Sequence, residues 1–238
     1  MRCVAPAILL TMAAAVGRAD TGTPPRVWQG VIDAGYISSM GTSSGSKETF
    51  HGKVAVTHNG PYWINIMSAE GVSVRDEISQ TDDPERYLAS YKARHFYDEH
   101  NFFTFRAQWE KDQVSLYEYQ VFSSLGLGRE LLKSDAQNLK IEAGPGVRVN
   151  QVRHGEDQNE GIGLFSWDYT CQVSPSSRLF QKASIESGAS GTVTRINTQF
   201  RQSITQVLAL TLTHDYKHEN ADNNTREGIF SIGLSYQL

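Results

Sequence analysis

The stretch that decides the fold is "IFSIGLSYQL", residues 229–238. Phe230, Ile232, Leu234, Tyr236 and Leu238 alternate with Ser231, Gly233, Ser235 and Gln237. A period of two places one set on each face of a β-strand, so one face is large and apolar and the other small or polar. A sheet that spans a membrane must close on itself, because lipid satisfies no edge N–H or C=O. The last strand must then pair with the first. Phe230, Ile232, Gly233, Leu234, Tyr236 and Leu238 are therefore expected to form the closing strand of a barrel, with the apolar set toward lipid.

The same alternation recurs upstream. "NFFTFRAQW" (101–109) sets Phe103, Phe105, Ala107 and Trp109 against Thr104, Arg106 and Gln108. "YEYQVFSSLGLG" (117–128) sets Tyr117, Tyr119, Val121, Leu125 and Leu127 against Glu118, Gln120, Ser124, Gly126 and Gly128. "LKIEAGPGVRVN" (139–150) places Lys140, Glu142, Gly144, Gly146 and Arg148 opposite Leu139, Ile141, Val147 and Val149. "GLFSWDYTCQV" (163–173) and "QVLALTLTHDY" (206–216) repeat the pattern. Turn-forming clusters separate the runs, among them "HNGP" at 58–61, "DEHN" at 98–101 and "SPSS" at 174–177. About twelve strands result, many near ten residues long, which is long for a soluble sandwich. Odd connections read as mostly long and even ones as mostly tight, the parity of an up-and-down barrel with unlike ends. The predicted fold is all-β: a transmembrane antiparallel up-and-down barrel over residues 27–238.

Composition sets the compartment. The 238 residues are 39% apolar and the mean hydropathy is −0.41. No run reaches the roughly 20 apolar residues of a transmembrane helix. Val4 to Val16 is a thirteen-residue apolar run after Arg2, followed by Gly17 and Ala19. That pattern predicts a secretory signal peptide over residues 1–19, then a short linker over 20–26. Its removal leaves 20 basic against 26 acidic residues, a balance that does not recruit nucleic acid. Cys171 would then be the one remaining cysteine, with no intramolecular disulfide available.

Four pieces together resemble the salt-induced outer-membrane protein family, a β-barrel family of unknown function. They are "WQGVIDAGY" (28–36), "SLGLGREL" (124–131), "EAGPGVRV" (142–149) and the terminal "THDYKHENADNNTREGIFSIGLSYQL" (213–238). The Gly-Asn usual after the first strand is absent here, where the chain reads "GTSSGSK" (41–47). The resemblance implies an outer-membrane barrel tied to osmotic or salt stress. It carries no catalytic residues.

The residues themselves point away from catalysis. A barrel lipase would want a His and a Ser two residues apart on one strand face. None of the seven histidines has a Ser two places on. "TDDPE" (81–85) and "HDYKHE" (214–219) read as solvated segments rather than a protease rim. "HENADNN" (218–224) lacks the spacing of a calcium loop. No enzyme activity, cofactor or metal is expected. The expected partners are outer-membrane lipid, lipopolysaccharide and the machinery that assembles outer-membrane barrels.

The polar face carries the informative residues. Arg106, Glu118, Lys140, Glu142, Arg148, Asp168, Lys182, Glu186, Arg195 and Arg201 are expected to face the lumen, since each would cost up to a few kcal/mol toward lipid. If they pair across the lumen the barrel is plugged; if water separates them it is a narrow pore for ions or small solutes. The inward glycines Gly126, Gly128, Gly144 and Gly146 mark either a sharp bend or space in which Arg148 lies flat. A soluble periplasmic barrel binding an apolar ligand would instead turn the apolar set inward. Trp109, Trp167, Tyr62, Tyr97, Tyr117, Tyr119, Tyr169, Tyr216 and Tyr236 are expected to face outward as candidates for aromatic girdles.

Overall fold

The computed structural model describes residues 27–41, 45–76, 85–113, 117–153, 157–220 and 225–237. Residues 1–19, the linker 20–26 and Leu238 lie outside them. Twelve strands follow in chain order: β1 Trp28–Gly41, β2 Gly45–Asn59, β3 Trp63–Asp76, β4 Glu85–Phe96, β5 Asn101–Asp112, β6 Tyr117–Lys133, β7 Gln137–Val152, β8 Gln158–Ser174, β9 Ser177–Gly188, β10 Gly191–Ser203, β11 Leu208–Asn220 and β12 Thr225–Gln237. Every sequential pair is antiparallel, and β12 pairs with β1 to close the barrel. The terminal stretch is thus the closing strand, with Leu234 opposite Ala34 and Ile232 opposite Tyr36.

The alternation falls as read. Along β12, Phe230, Ile232, Leu234 and Tyr236 are exposed on the outside, while Ser231 and Ser235 are buried inside. Leu125, Leu127, Leu210 and Leu212 are likewise exposed outward. A belt of this extent suits lipid rather than water. The apolar face is therefore outside, and the inverted barrel with an apolar lumen is ruled out. Aromatic side chains collect near both ends of the strands. Trp28, Tyr62, Trp63, Tyr97 and Tyr236 are exposed at the end that holds both described termini. Tyr36, Phe50 and Tyr87 are exposed toward the other.

The loop parity is weaker than expected. β1 and β2 are separated by three residues, 42–44, and β11 and β12 by four, 221–224. β9 and β10 are joined by two residues, and Gly191 directly after them has φ 139°, a conformation that favours glycine. Only the β3–β4 connection, 77–84, is long. Polar strand ends outside the apolar belt show no hydrophobic alternation, so they read as loop. Their ladder hydrogen bonds nonetheless continue, and strands reach 17 residues in β6 and β8.

At two corners, on opposite sides of the strand order, neighbouring strands approach closely at glycines. In β6–β7 the pairing passes from Ser124↔Gly146 to Leu127↔Ala143 in unchanged register, with no pair between them. Pro145 lies there and has no N–H to donate. A Cβ on Gly144 would sit 2.1 Å from the Leu125 carbonyl oxygen and 2.4 Å from Gly126 Cα. One on Gly126 would sit 2.5 Å from the Ala143 carbonyl oxygen. At the β12–β1 seam, a Cβ on Gly233 would meet the Ala34 carbonyl oxygen at 2.2 Å. The two corners are half the strand order apart. They divide the barrel into halves β1–β6 and β7–β12 that face each other. Gly126, Gly144 and Gly146 thus mark a close approach of β6 and β7. Gly128 serves another purpose, leaving space for the ring of fully buried Phe102, which lies 2.2 Å from where a Cβ would be. Arg148 does not lie over the glycines. It reaches Glu160, the Ser190 hydroxyl and the Gly191 carbonyl.

Cys171 is fully buried on β8.

The lumen as candidate functional site

Inward positions of the twelve strands line one lumen, and charged side chains fill much of it. On β4, Ser90, Lys92 and Arg94 share the inner face. Arg94 Nε donates to Glu142 Oε1 on β7 at 2.7 Å, and its Nη2 also reaches Glu142 and Asp168. Lys92 Nζ lies 3.4 Å from Glu142 and 3.4 Å from Asp168 on β8. Glu142 is 2% exposed. The Thr104 and Ser166 hydroxyls donate to its second oxygen.

A second cluster centres on Glu110 of β5. Arg195 of β10 donates to it at 2.7 Å and to Glu186 of β9 at 2.9 Å. Lys217 of β11 donates to Glu110 at 2.8 Å. Near the rim opposite the termini, Gln120 of β6 reaches Glu219 of β11 at 3.4 Å. Arg201 lies 3.7 Å from Asp33 across the closing seam. Nearly all these bridges join the half β1–β6 to the half β7–β12. A buried ion pair is weak evidence of net stabilisation, but removing one partner costs several kcal/mol. The pairs therefore fix the two halves in one register.

Nine of the ten predicted lumen charges face inward. Lys140 pairs with Glu130 at 3.0 Å, and Arg148 with Glu160 at 2.7 Å. Glu142, Asp168, Glu186, Arg195 and Arg201 join the bridges above. Arg106 donates to Gln108 at 3.1 Å and lies over the Phe122 ring. Lys182 makes no ion pair among the described residues. Glu118 is the correction: it is exposed, and Tyr117, expected outward, is 4% exposed on the inside. A register shift between Tyr117 and Tyr119 inverts the parity at the start of β6. A bulge cannot be read from a strict period of two.

Sequence reading missed Lys92, Arg94, Glu110 and Lys217, the other halves of the bridges. The strand positions of Lys92, Arg94 and Glu110 are legible in "SYKAR" (90–94) and "WEKD" (109–112), and that of Lys217 in "HDYKHE" (214–219), where every second residue on the inner face is polar or charged. Aromatic and polar residues interleaved on the outer face blur that signal.

His51, Glu70 and Asp215 bring one potential metal-ligand atom each to within 4.8 Å of one another. Glu70 already faces Lys53 at 3.4 Å and Arg86 at 3.8 Å. Asp215 accepts from Asn197 at 2.5 Å. Both carboxylates are thus engaged by protein donors.

Beside the bridges the lumen keeps a cavity of about 200 Å³. Lys53, Arg106, Lys182, Glu110 and Asp168 are among its walls.

A closed twelve-stranded barrel with an apolar outer belt and a charged, partly bridged lumen is an outer-membrane type of barrel. The chain belongs to the family described as "Protein of unknown function, DUF481", whose model matches residues 32–237. It is 22% identical over 222 residues to "Uncharacterized protein YdiY" of Escherichia coli (strain K12), covering 91% of this chain and 86% of that one. Among solved structures it resembles the NanC porin at 12% identity and TM-score 0.55, over 87% of this chain and 100% of that one. It also resembles the COG4313 outer membrane channel from Pseudomonas putida F1 at 11% identity and TM-score 0.53, over 94% and 99%. At these identities the likeness concerns the fold.

Proposed function

We propose that this chain is a non-catalytic barrel of the bacterial outer membrane, exported by residues 1–19, which supports envelope integrity and limits permeability under salt or osmotic stress. The observation that carries this reading is the set of ion pairs joining the two halves across the lumen, above all Arg94 with Glu142 and Asp168, and Glu110 with Arg195 and Lys217. Such bridges obstruct ion flow while bracing the wall. The tie to salt stress rests on the family resemblance of the quoted motifs. Lipid and lipopolysaccharide are the proposed partners of the outer belt. The assembly machinery is the proposed partner of β12, whose outer face presents Phe230, Ile232, Leu234 and Tyr236. The start of β1 and the end of β12 would then lie on the periplasmic side.

A second reading, a narrow pore for ions or small solutes, is favoured by the cavity that the bridges leave open, where Lys182 stays exposed. Planar-bilayer recording of the refolded barrel tests the first reading. The expected result is little or no steady conductance, and a stable open level in every insertion would refute it. A strain lacking the protein should also lose viability in high NaCl; unchanged growth and permeability would remove the stress role.

A further inference from the structure

Two cations on the cavity wall have no carboxylate within ion-pair distance among the described residues. Seven cationic side chains line it against four anionic ones. Each anion is already engaged. Glu70 faces Lys53 and His51, and Glu110 takes Arg195 and Lys217. Asp168 takes Lys92 and Arg94, and Asp215 accepts from Asn197. Counting the charges that pair directly with wall residues, Arg94, Asp112, Glu142, Glu186 and Glu219, brings the total to eight against eight, so the imbalance is one of pairing and not of net charge.

The two cations are Arg106 and Lys182. Arg106 has the Gln108 side-chain carbonyl at 3.1 Å and the Phe122 ring as neighbours, and no carboxylate within ion-pair distance among the described residues. Lys182 stands opposite Asp168 in the β8–β9 register, yet Asp168 turns to Lys92 and Arg94. Lys182 remains exposed to the cavity. An unpaired cation in a lumen of reduced dielectric attracts an anion more strongly than it would in bulk water. Arginine with a free guanidinium edge and a lysine point charge are also the donors that oxyanions take, through short charge-assisted hydrogen bonds. The cavity holds about 200 Å³, space for about six waters at roughly 30 Å³ each.

We propose that this cavity is an oxyanion-binding site. It would take a phosphate-sized group, free or carried by a small solute, with Arg106 and Lys182 as its principal ligands. The site is a property of the lumen wall and holds whether the barrel is closed or conducting.

Calorimetric titration of the refolded barrel with inorganic phosphate at pH 7 and low ionic strength tests it. Arg106→Gln, Lys182→Gln and a rim control, Lys133→Gln, are compared, and heat-modifiable gel mobility reports folding of each. Saturable binding is expected for the parent and the control. Each of the two lumen variants should weaken it at least tenfold. Lys182 has no partner to orphan, so Lys182→Gln keeps the test decisive if Arg106→Gln misfolds. Absence of saturable phosphate binding by the folded parent would overturn the proposal, as would equal binding by Lys182→Gln. Displacement of bound phosphate by a sugar phosphate at lower concentration would support the site with a solute-borne group as its source. Weaker displacement by the sugar phosphate would support it with the free ion as the source. Conductance is measured separately, so an open barrel would refute the closed-lumen reading and leave this site standing.

Discussion

Replacing Gly144 with Ala should destabilise the barrel by about 3 kcal/mol. The added methyl would lie 2.1 Å from the Leu125 carbonyl oxygen and 2.4 Å from Gly126 Cα. Ordinary carbon contacts lie near 3.5 Å or more, so the strands must part by about 1 Å at the corner. Both obstacles are backbone atoms of the facing strand and cannot rotate away. Overpacking a well-packed site costs about 1–3 kcal/mol, occasionally more, and backbone obstacles put this case at the upper end. Gly161 is the control: it lies on β8, and nothing approaches its built Cβ within 4 Å. Gly161→Ala should be neutral or stabilising by up to about 1 kcal/mol, since it reduces the freedom of the unfolded chain. Urea unfolding in lipid vesicles, followed by tryptophan fluorescence and gel mobility, measures both. With a slope near 3 kcal/mol/M, the Gly144→Ala midpoint should fall by about 1 M. A midpoint within 0.2 M of the parent, with mobility intact, would refute the close approach of β6 and β7 at the glycine corner.

Three further outcomes are expected. Glu142→Gln leaves Arg94 and Lys92 with only Asp168 across the lumen. It should cost about 3 kcal/mol in the same urea assay, and a loss below 1 kcal/mol would show the bridge is dispensable. Leu212→Arg places a charge on the outer belt, where Leu212 is 48% exposed. It should cost about 2–4 kcal/mol in vesicles if it lies near the midplane, whereas a water-facing position would tolerate it. In the β4–β5 turn, the Asn101 side chain and the Asn101 and His100 backbone N–H groups donate to Asp98 and lower its pKa to about 2. A depressed carboxyl stabilises the fold above its unfolded pKa near 4, and that contribution fades as pH falls through about 2. The stability difference between the parent and Asp98→Asn should therefore shrink between pH 4 and pH 2. A difference that stays constant across that range would refute it.

Strand identity, facing and closure were legible in the sequence because a β-strand has a side-chain period of two and the bilayer demands one apolar face and no edges. Phe230, Ile232, Leu234 and Tyr236 carry that signal in ten residues. The inward direction of Arg106, Lys140, Glu142 and Lys182 follows from the same rule. The inward glycines of "GLG" and "EAGPG" pointed either to a bend or to space for Arg148, since a residue without a side chain allows both. What the period could not show is what depends on the third dimension. Glu118 faces out because one bulge inverts the parity of β6. Polar strand ends extend past the belt because backbone pairing continues where hydrophobic patterning stops. Arg94 of β4 meets Glu142 of β7 and Asp168 of β8 because closure of the barrel sets these inner faces across one lumen. Among the described residues Arg106 and Lys182 have no carboxylate within ion-pair distance for the same reason: which charges pair is set by distance across the lumen, and no spacing along the chain encodes it.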